Sequence, residues 1–392
     1  MNEPWPAVRP GPRYGLPDSA RSVLRALAAN GPATRPNLSA ALALSKPTMS
    51  AAIAELSRLD LVTEQGWARG ATGRSAVLYS VANAAGHVLG VEIGATRVRV
   101  FAHTLDGRQI TTRQEGRLPG EGPNVTTSAL ATGADLVTAI RTEIGDDYGP
   151  LRDVVVAAPT LAAKTSTSFV LEGIAADGFE ALTAALPLPA DVPVVIENNV
   201  NCSAIAEHRI GVAVNQKMYA YVQVGVKIGV GILVGGSVLR GAHGAAGEVA
   251  MLPFGWTAEH TPRRNALEDY LGSAALMERC AAAWPRDGTP VPADAEALFA
   301  SAASGDATAR RLVDKHARDI GRLVVGVMSV LDPGLVVLGG GVGQNPLVLA
   351  EIRRTVRELA WDTEVTTGAL GDRATILGAV HLAISRALDR IA

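Results

Sequence analysis

The chain has 392 residues, 48% of them apolar, and its 36 Lys and Arg against 38 Asp and Glu leave a formal net charge of −2. That length implies two or three domains, and the absence of any apolar run of about 18 residues argues against a membrane helix. With only two cysteines, Cys202 and Cys280, a disulfide framework is excluded and a reducing, cytoplasmic setting is expected.

Residues 1–17 are rich in Pro and Arg, lack the apolar core of a signal peptide, and read as a disordered lead-in. Residues 1–83 hold nine basic side chains (Arg9, Arg13, Arg21, Arg25, Arg35, Lys46, Arg58, Arg69, Arg74) and five acidic ones (Glu3, Asp18, Glu55, Asp60, Glu64). A basic amino-terminal module on an otherwise acidic chain is the asymmetry expected of an end that meets phosphate. Ser19 to Ala29 has a helical apolar face (Val23, Leu24, Leu27) stopped by Asn30-Gly31-Pro32. A second short helix runs from Arg35 to Ala43. Ser45 is a good N-cap for a third, Lys46 to Leu59, with Pro47 tolerated in its first turn. Met49, Ile53 and Leu56 are its buried face; Lys46, Thr48, Ser50 and Arg58 face solvent. Two helices joined by a tight turn make a helix-turn-helix, whose second helix enters the major groove. A strand from Leu61 to Glu64, a turn from Gly66 to Arg74 and a strand from Ala76 to Val81 complete a wing, with Arg69 and Arg74 at its tip placed to reach the DNA backbone or minor groove. The residues leave open whether Lys46 and Ser50 read bases or hold phosphates.

From Gly86 the pattern changes to buried strands separated by glycine turns. His87 to Gly94 is a strand ending on Glu92 and a glycine, followed by Ala95-Thr96, a strand from Arg97 to Ala102, and the turn Asp106-Gly107. Gly225-Val226-Lys227-Ile228-Gly229-Val230-Gly231 reads as a second such turn between strands, and the strand Leu335 to Leu338 runs into Gly339-Gly340-Gly341. Between the first two lies Glu197-Asn198-Asn199, closing a buried strand and opening a helix, a position where sites form in α/β proteins. Cys202, just beyond, reads as a small buried residue and not a catalytic thiol.

In these motifs, and in Leu44-Ser45-Lys46-Pro47-Thr48-Met49-Ser50, Gly244-Ala245-Ala246-Gly247-Glu248 and Ala266-Leu267-Glu268, the chain from about residue 18 onward resembles the ROK family of sugar kinases and transcriptional regulators, in its regulator branch. The resemblance implies an α/β fold: an N-terminal winged helix-turn-helix (18–82) followed by a two-lobed actin-like, ribonuclease-H-like ATPase-type domain (84–392). Lobe one would be 84–199 plus the terminal helix 374–391, and lobe two 200–373. The departures from the family pattern bear on activity. Asn199 stands where family kinases carry the Asp that takes a proton from the sugar hydroxyl, and an amide has no basic form near neutral pH; loss of such a base typically costs about 10²–10⁴ in rate. Glu92 replaces the usual Asp of the first phosphate turn, Ala95 a Gly, and Val226 and Lys227 stand for the usual Thr and Gly of the second. Pro159-Thr160-Leu161 departs from the family's Pro-Gly-Pro-like turn. The family zinc is not expected either: Met251 occupies the His position, and Glu259 to Ala266 has no cysteine, leaving His260 as a loop residue.

No catalytic residue, metal or cofactor is therefore expected. Ser45, Lys46, Thr48, Ser50, Arg69 and Arg74 are the candidate DNA-binding residues, and Asn198, Asn199, Glu248 and Glu268 the candidate ligand-binding ones, amides and carboxylates being suited to sugar hydroxyls. The same residues fit a vestigial pocket filled by its own side chains. The resemblance implies a homodimer or higher homo-oligomer, and the reading is a repressor that binds a double-stranded DNA operator and responds to a sugar or related effector held between the lobes. The alternative is an active ATP-dependent carbohydrate kinase with an accessory DNA-binding domain.

Overall fold

This computed structural model describes residues 15–69, 75–94, 96–117, 126–159, 184–253 and 263–391. They fall into two compact units, one containing residues 15–159, 184–197 and 379–391 and the other residues 198–253 and 263–378.

The first unit opens with helix α1, Asp18–Asn30, whose Ala20, Val23, Leu24 and Leu27 are buried. A two-residue strand β1 (Ala33–Thr34) leads to α2 (Arg35–Leu42), where the Thr34 hydroxyl accepts the Asn37 N–H. Ala43 turns the chain in the left-handed region, φ 52°, and α3 follows over Lys46–Arg58. Met49, Ala52, Ile53 and Leu56 form the buried face of α3, as their three- and four-residue spacing requires. Strands β2 (Val62–Arg69) and β3 (Ser75–Val81) make the wing, and β1 joins its edge to give the order β1-β3-β2. Two details differ from the sequence reading. The short β1 was not anticipated, and β2 continues through Gly66 to Arg69 where a turn was expected. A bulge makes that continuation possible: pairing passes from Glu64↔Tyr79 to Trp67↔Val77, leaving Gln65 and Gly66 out of register.

The first five-stranded sheet comprises β4 (His87–Ile93), β5 (Arg97–Thr104), β6 (Gln109–Gly116), β7 (Leu151–Ala158) and β8 (Val194–Asn198). β4 to β6 form an antiparallel meander and β7 joins β4 in parallel, giving the order β6-β5-β4-β7-β8. Helix α4 (Thr127–Ile144) packs Leu136, Val137 and Ile140 against Leu89, Val91, Val98, Val100 and Val154 of the sheet. All of β4 is buried, which explains its near-continuous apolar run.

The second unit repeats the plan. β9 (Met218–Val224), β10 (Ile228–Val234), β11 (Ser237–Val238), β12 (Leu335–Gly339) and β13 (Glu364–Thr367) pair as β11-β10-β9-β12-β13. Both sheets thus take their own strands in the order third, second, first, fourth, fifth. Helix α5 (Asn199–Ile210) packs on β10. Beyond it come α6 (Glu268–Leu271), α7 (Ser273–Ala283), α8 (Ala295–Ala303), α9 (Ala307–Leu331), α10 (Gly340–Gly343) and α11 (Pro346–Leu359). Val313, Ile320, Val324 and Met328 of α9 share a core with Val348, Ile352 and Val356 of α11.

The glycine segment 225–231 is not a broad turn. Only Gly225, Val226 and Lys227 turn the chain, with the Gly225 N–H donating to the Lys227 carbonyl at 3.1 Å, and β10 begins at Ile228. Gly229 and Gly231 are strand residues kept small by α5: a Cβ would stand 3.1 Å from the Val200 Cγ2 at Gly229 and 2.8 Å from the Ala204 Cβ at Gly231. The last helix, α12 (Ala374–Ile391), passes from the second unit to the first. Thr375 meets the Ser203 hydroxyl at 2.9 Å, while Arg386 and Arg390 both bond the fully buried Asp153 carboxylate.

Candidate functional site

Two sets of residues carry chemistry, one in each unit. On α3 the Ser45 Oγ accepts the Thr48 N–H at 3.3 Å and lies 2.8 Å from the Thr48 hydroxyl. Ser45 and Thr48 therefore shape the helix start as well as sitting at its surface. Lys46 and Ser50 are exposed, and the Lys46 ammonium has no ion pair among the described residues. Arg58 is engaged by Glu55 through two hydrogen bonds, at 2.7 and 2.9 Å, which removes it from the free cations. The backbone of Arg69 ends β2; its side chain and all of Arg74 lie outside the described residues. At the base of the wing the Arg35 guanidinium lies 5.0 Å from the Tyr79 ring centroid and the Tyr79 hydroxyl donates to Glu64, tying α2 to the hairpin.

In the second unit three elements, α5, α6 and the segment at Gly247, meet on consecutive residues of β10. The Ile228 N–H donates to the Glu268 Oε2 at 3.3 Å. Gly229 receives Val200 of α5. The Val230 N–H donates to the Gly247 carbonyl at 2.9 Å, which sets the adjoining Glu248, and Gly231 receives Ala204. Gly247 has φ +88°, and a Cβ there would stand 1.8 Å from the Val230 carbonyl oxygen, so no other residue fits. β10 thereby anchors the helix start at Asn198 and Asn199, Glu248 and Glu268 to one strand.

Both amides at the start of α5 turn an oxygen onto the helix. The Val200 N–H donates to the Asn198 Oδ1 at 2.7 Å and to the Asn199 Oδ1 at 3.0 Å, the local pattern of an N-cap. The Asn199 oxygen is thus committed to its own helix, while its NH₂ has no partner among the described residues. The Glu248 carboxyl accepts no hydrogen bond there either. Burial, with Glu268 beside it and against the pull of Lys227, pushes it up to about 7. Glu268 is held by more than β10. On its own short helix the Tyr270 hydroxyl donates to Asp319 at 2.8 Å, the Lys315 ammonium bonds the same carboxylate at 2.8 Å, and Arg279 donates to the Tyr270 carbonyl at 2.7 Å. Sequence reasoning missed this brace, because its members are spread from residue 270 to 319 with no local pattern.

The first unit holds a second feature not foreseen. Glu92 and Arg99 are directly opposite on β4 and β5, 6% and 4% exposed, and joined by two hydrogen bonds of 2.8 and 3.1 Å. The available signal was Arg99 itself, set between Val98 and Val100 in a strand that pairs with the one carrying Glu92. A buried carboxylate clasped by a fork-shaped guanidinium is occupied by the protein itself. Ala95, Thr160, Leu161 and His260 lie outside the described residues, and Met251 sits in a single helical turn, Val249–Met251. Cys202 is fully buried, its carbonyl packed where Gly378 of α12 allows it. No group of three or more His, Cys, Asp or Glu among the described residues could hold a metal ion, and no helix there is long and apolar enough to cross a membrane.

A winged helix followed by two sheets of one shared strand order is the layout of a sugar-kinase-like domain fused to a DNA-reading module. The chain belongs to the ROK family, which it matches over residues 88–386, and residues 14–67 match the MarR family. Among relatives, the xylose repressor of Bacillus subtilis is 22% identical over 377 residues, covering 94% of this chain and 95% of the relative. The β-glucoside kinase of Klebsiella pneumoniae is 23% identical and covers 74% of this chain and 93% of its own. A crystal structure of a ROK family transcriptional regulator, a homologue of the E. coli MLC protein, has a TM-score of 0.71 at 20% identity, covering 94% of this chain and 95% of that one. The repressor and the regulator align across both modules, whereas the kinase leaves about a quarter of the chain uncovered.

Proposed function

We propose that the chain is a DNA-binding transcriptional repressor whose ROK domain binds a sugar without phosphorylating it. The observation that carries the reading is the state of position 199. An amide stands there with its oxygen turned onto its own helix and its NH₂ free, so it can donate to a hydroxyl but cannot take a proton from one. The Glu92–Arg99 pair supports the same conclusion, since a carboxylate spent on an internal guanidinium is withdrawn from organising a metal–nucleotide complex. The free Asn199 NH₂ and Glu248 carboxyl favour a ligand over a self-filled pocket, because polar groups in a part-buried site gain most from a partner that satisfies them. Glu268, braced by the Tyr270 network, and Asn198 complete a donor–acceptor set matched to a polyhydroxyl molecule.

In this reading α3 enters the major groove with Lys46 at its start and Ser50 one turn on, and two copies of the chain meet a pseudo-palindromic operator. Sugar binding releases DNA only to the extent that the DNA-free form binds the sugar more tightly. The xylose repressor among the relatives makes an aldopentose the first effector to test. The experiment selects a duplex from a randomised pool with the full chain, then titrates the complex with xylose, glucose and other monosaccharides, and in parallel follows ATP consumption with each sugar. Release of DNA by one sugar class without turnover is expected. Sustained phosphorylation, or retention of no duplex at any salt, overturns the reading.

A further inference from the structure

One residue of the wing is unlike the rest of the described surface. Trp67 is 72% exposed, the most exposed aromatic side chain among the large exposed hydrophobics; the other exposed indole, Trp361, is 47% exposed and donates its N–H to Asp332 at 3.1 Å. The Trp67 indole makes no hydrogen bond and no ring contact among the described residues. Its backbone is nonetheless well fixed. Trp67 pairs with Val77 in the hairpin, two register steps from the last described pair, Arg69↔Ser75, and immediately after the bulge at Gln65 and Gly66. Bulges commonly re-aim a side chain. Without one, Trp67 would continue the alternation set by Glu64, whose carboxylate holds Tyr79. The hairpin edge opposite β2 is closed by β1, so strand, bulge and indole form one fixed unit with the three helices.

We infer that Trp67 is a DNA-contacting residue, its indole packing against the deoxyribose and base edges of the minor groove beside the segment read by α3. The inference rests on the DNA-binding reading above. The occupant follows from continuity and charge: Trp67 lies on the strand that leaves α3, in the part of the chain with the basic excess, with Arg69 and Arg74 close in sequence. An indole joins a broad apolar face to a single N–H donor. The minor groove offers sugar faces and, at A·T pairs, acceptors only, and apolar side chains are a recurrent means of gripping it. Trp67 would thus supply an attraction that does not displace counterions, in contrast to a lysine or an arginine.

That contrast makes the test. Binding of a pool-selected duplex is measured by anisotropy over a range of salt for the wild-type full chain, Trp67→Ala, Trp67→Phe and Lys46→Ala. Trp67→Ala should weaken binding at every salt by roughly 10- to 100-fold, the range of a lost aromatic–base contact, and leave the slope of log K against log salt unchanged. Lys46→Ala should lower that slope by about one phosphate contact. Trp67→Phe should keep most of the affinity. Because the side chain is exposed, thermal stability should be unaltered in both Trp67 variants. Binding by Trp67→Ala within twofold of wild type, a changed salt slope, or a Phe variant as weak as Ala overturns the inference while leaving the repressor reading intact. Failure of the wild-type chain to bind any duplex removes both.

Discussion

Replacing Arg99 with Met should destabilise the first unit far more than loss of a surface ion pair, and by an amount that depends on pH. Glu92 and Arg99 are 6% and 4% exposed, with two hydrogen bonds between them. Removing the guanidinium takes two hydrogen bonds from a buried carboxylate, and breaking a buried pair typically costs about 3–5 kcal/mol. A buried carboxylate that has lost its guanidinium favours its protonated form more than before, so the penalty should be smaller at pH 5 than at pH 8. Adding Glu92→Leu removes the carboxylate as well, and the double variant should recover most of the loss, since apolar replacement of a buried pair is often close to neutral. The chain has two units, so one global melt is a poor readout. Hydrogen exchange of peptides covering β4 and β5, followed at both pH values, reports the opening of this sheet. A loss below about 1 kcal/mol, far under the range for a broken buried pair, or no pH dependence, or a double variant worse than the single, would refute the reasoning.

Three further outcomes are expected. Asn199→Asp alone should not yield measurable sugar phosphorylation in a coupled ATP assay, because Glu92 remains clasped by Arg99 and Lys227 still occupies the second strand turn; robust turnover by that single variant would show that the base was the sole defect. Glu248, raised from 4.5 to about 7, binds its proton in the folded chain at pH values where the unfolded chain has lost it, so its contribution to stability is present below about pH 4.5 and is lost as pH rises to 7. Glu248→Gln should flatten that dependence and gain roughly 1–2 kcal/mol over wild type above pH 7, a value discounted for its part exposure, read from paired urea midpoints at pH 5 and pH 8. Ser45→Ala removes the hydroxyl that caps α3 and should cost the winged helix about 1 kcal/mol and weaken DNA binding by a similar factor at all salts, measured by thermal melting and anisotropy.

Local features of the fold were largely readable because their signals are local. Ser45 followed by Pro47, with Met49, Ile53 and Leu56 at helical spacing, marks α3 without reference to anything distant, and the buried run ending at Glu197 marks β8. Readings failed where a residue's size answers to another element. Gly229 and Gly231 look like turn residues until α5 is placed over them, and Gln65-Gly66 looks like the start of a loop until the register with β3 shows a bulge. The candidate ligand residues were found from motif likeness. Their shared tether to Ile228, Gly229 and Val230 was not legible, because backbone N–H groups leave no trace in side-chain identity. Arg99 was overlooked for the opposite reason: its partner is seven positions away, a separation that becomes a cross-strand pair only once β4 and β5 are in register.

In the proposed reading the altered positions do more than remove a catalyst. An enzyme that lost only its base would keep a nucleotide site shaped for phosphate. Here Glu92 is neutralised from the opposite strand, Lys227 contributes a positive field beside Glu248, and the oxygen of Asn199 closes its own helix start. These three side chains each have a partner or a charge relation inside their own unit. Such positions stabilise the fold and are no longer held in reserve for a transition state, which is where catalytic sites normally carry their strain. The groups left unsatisfied, the Asn199 NH₂ and the Glu248 carboxyl, are suited to holding a hydroxyl in its ground state. A site that binds ground states tightly and transition states no better is a poor catalyst and a good sensor. In the proposed reading that division, with the altered kinase positions engaged by the protein and Asn199 and Glu248 turned to a ligand, is the arrangement a repressor needs from a kinase fold.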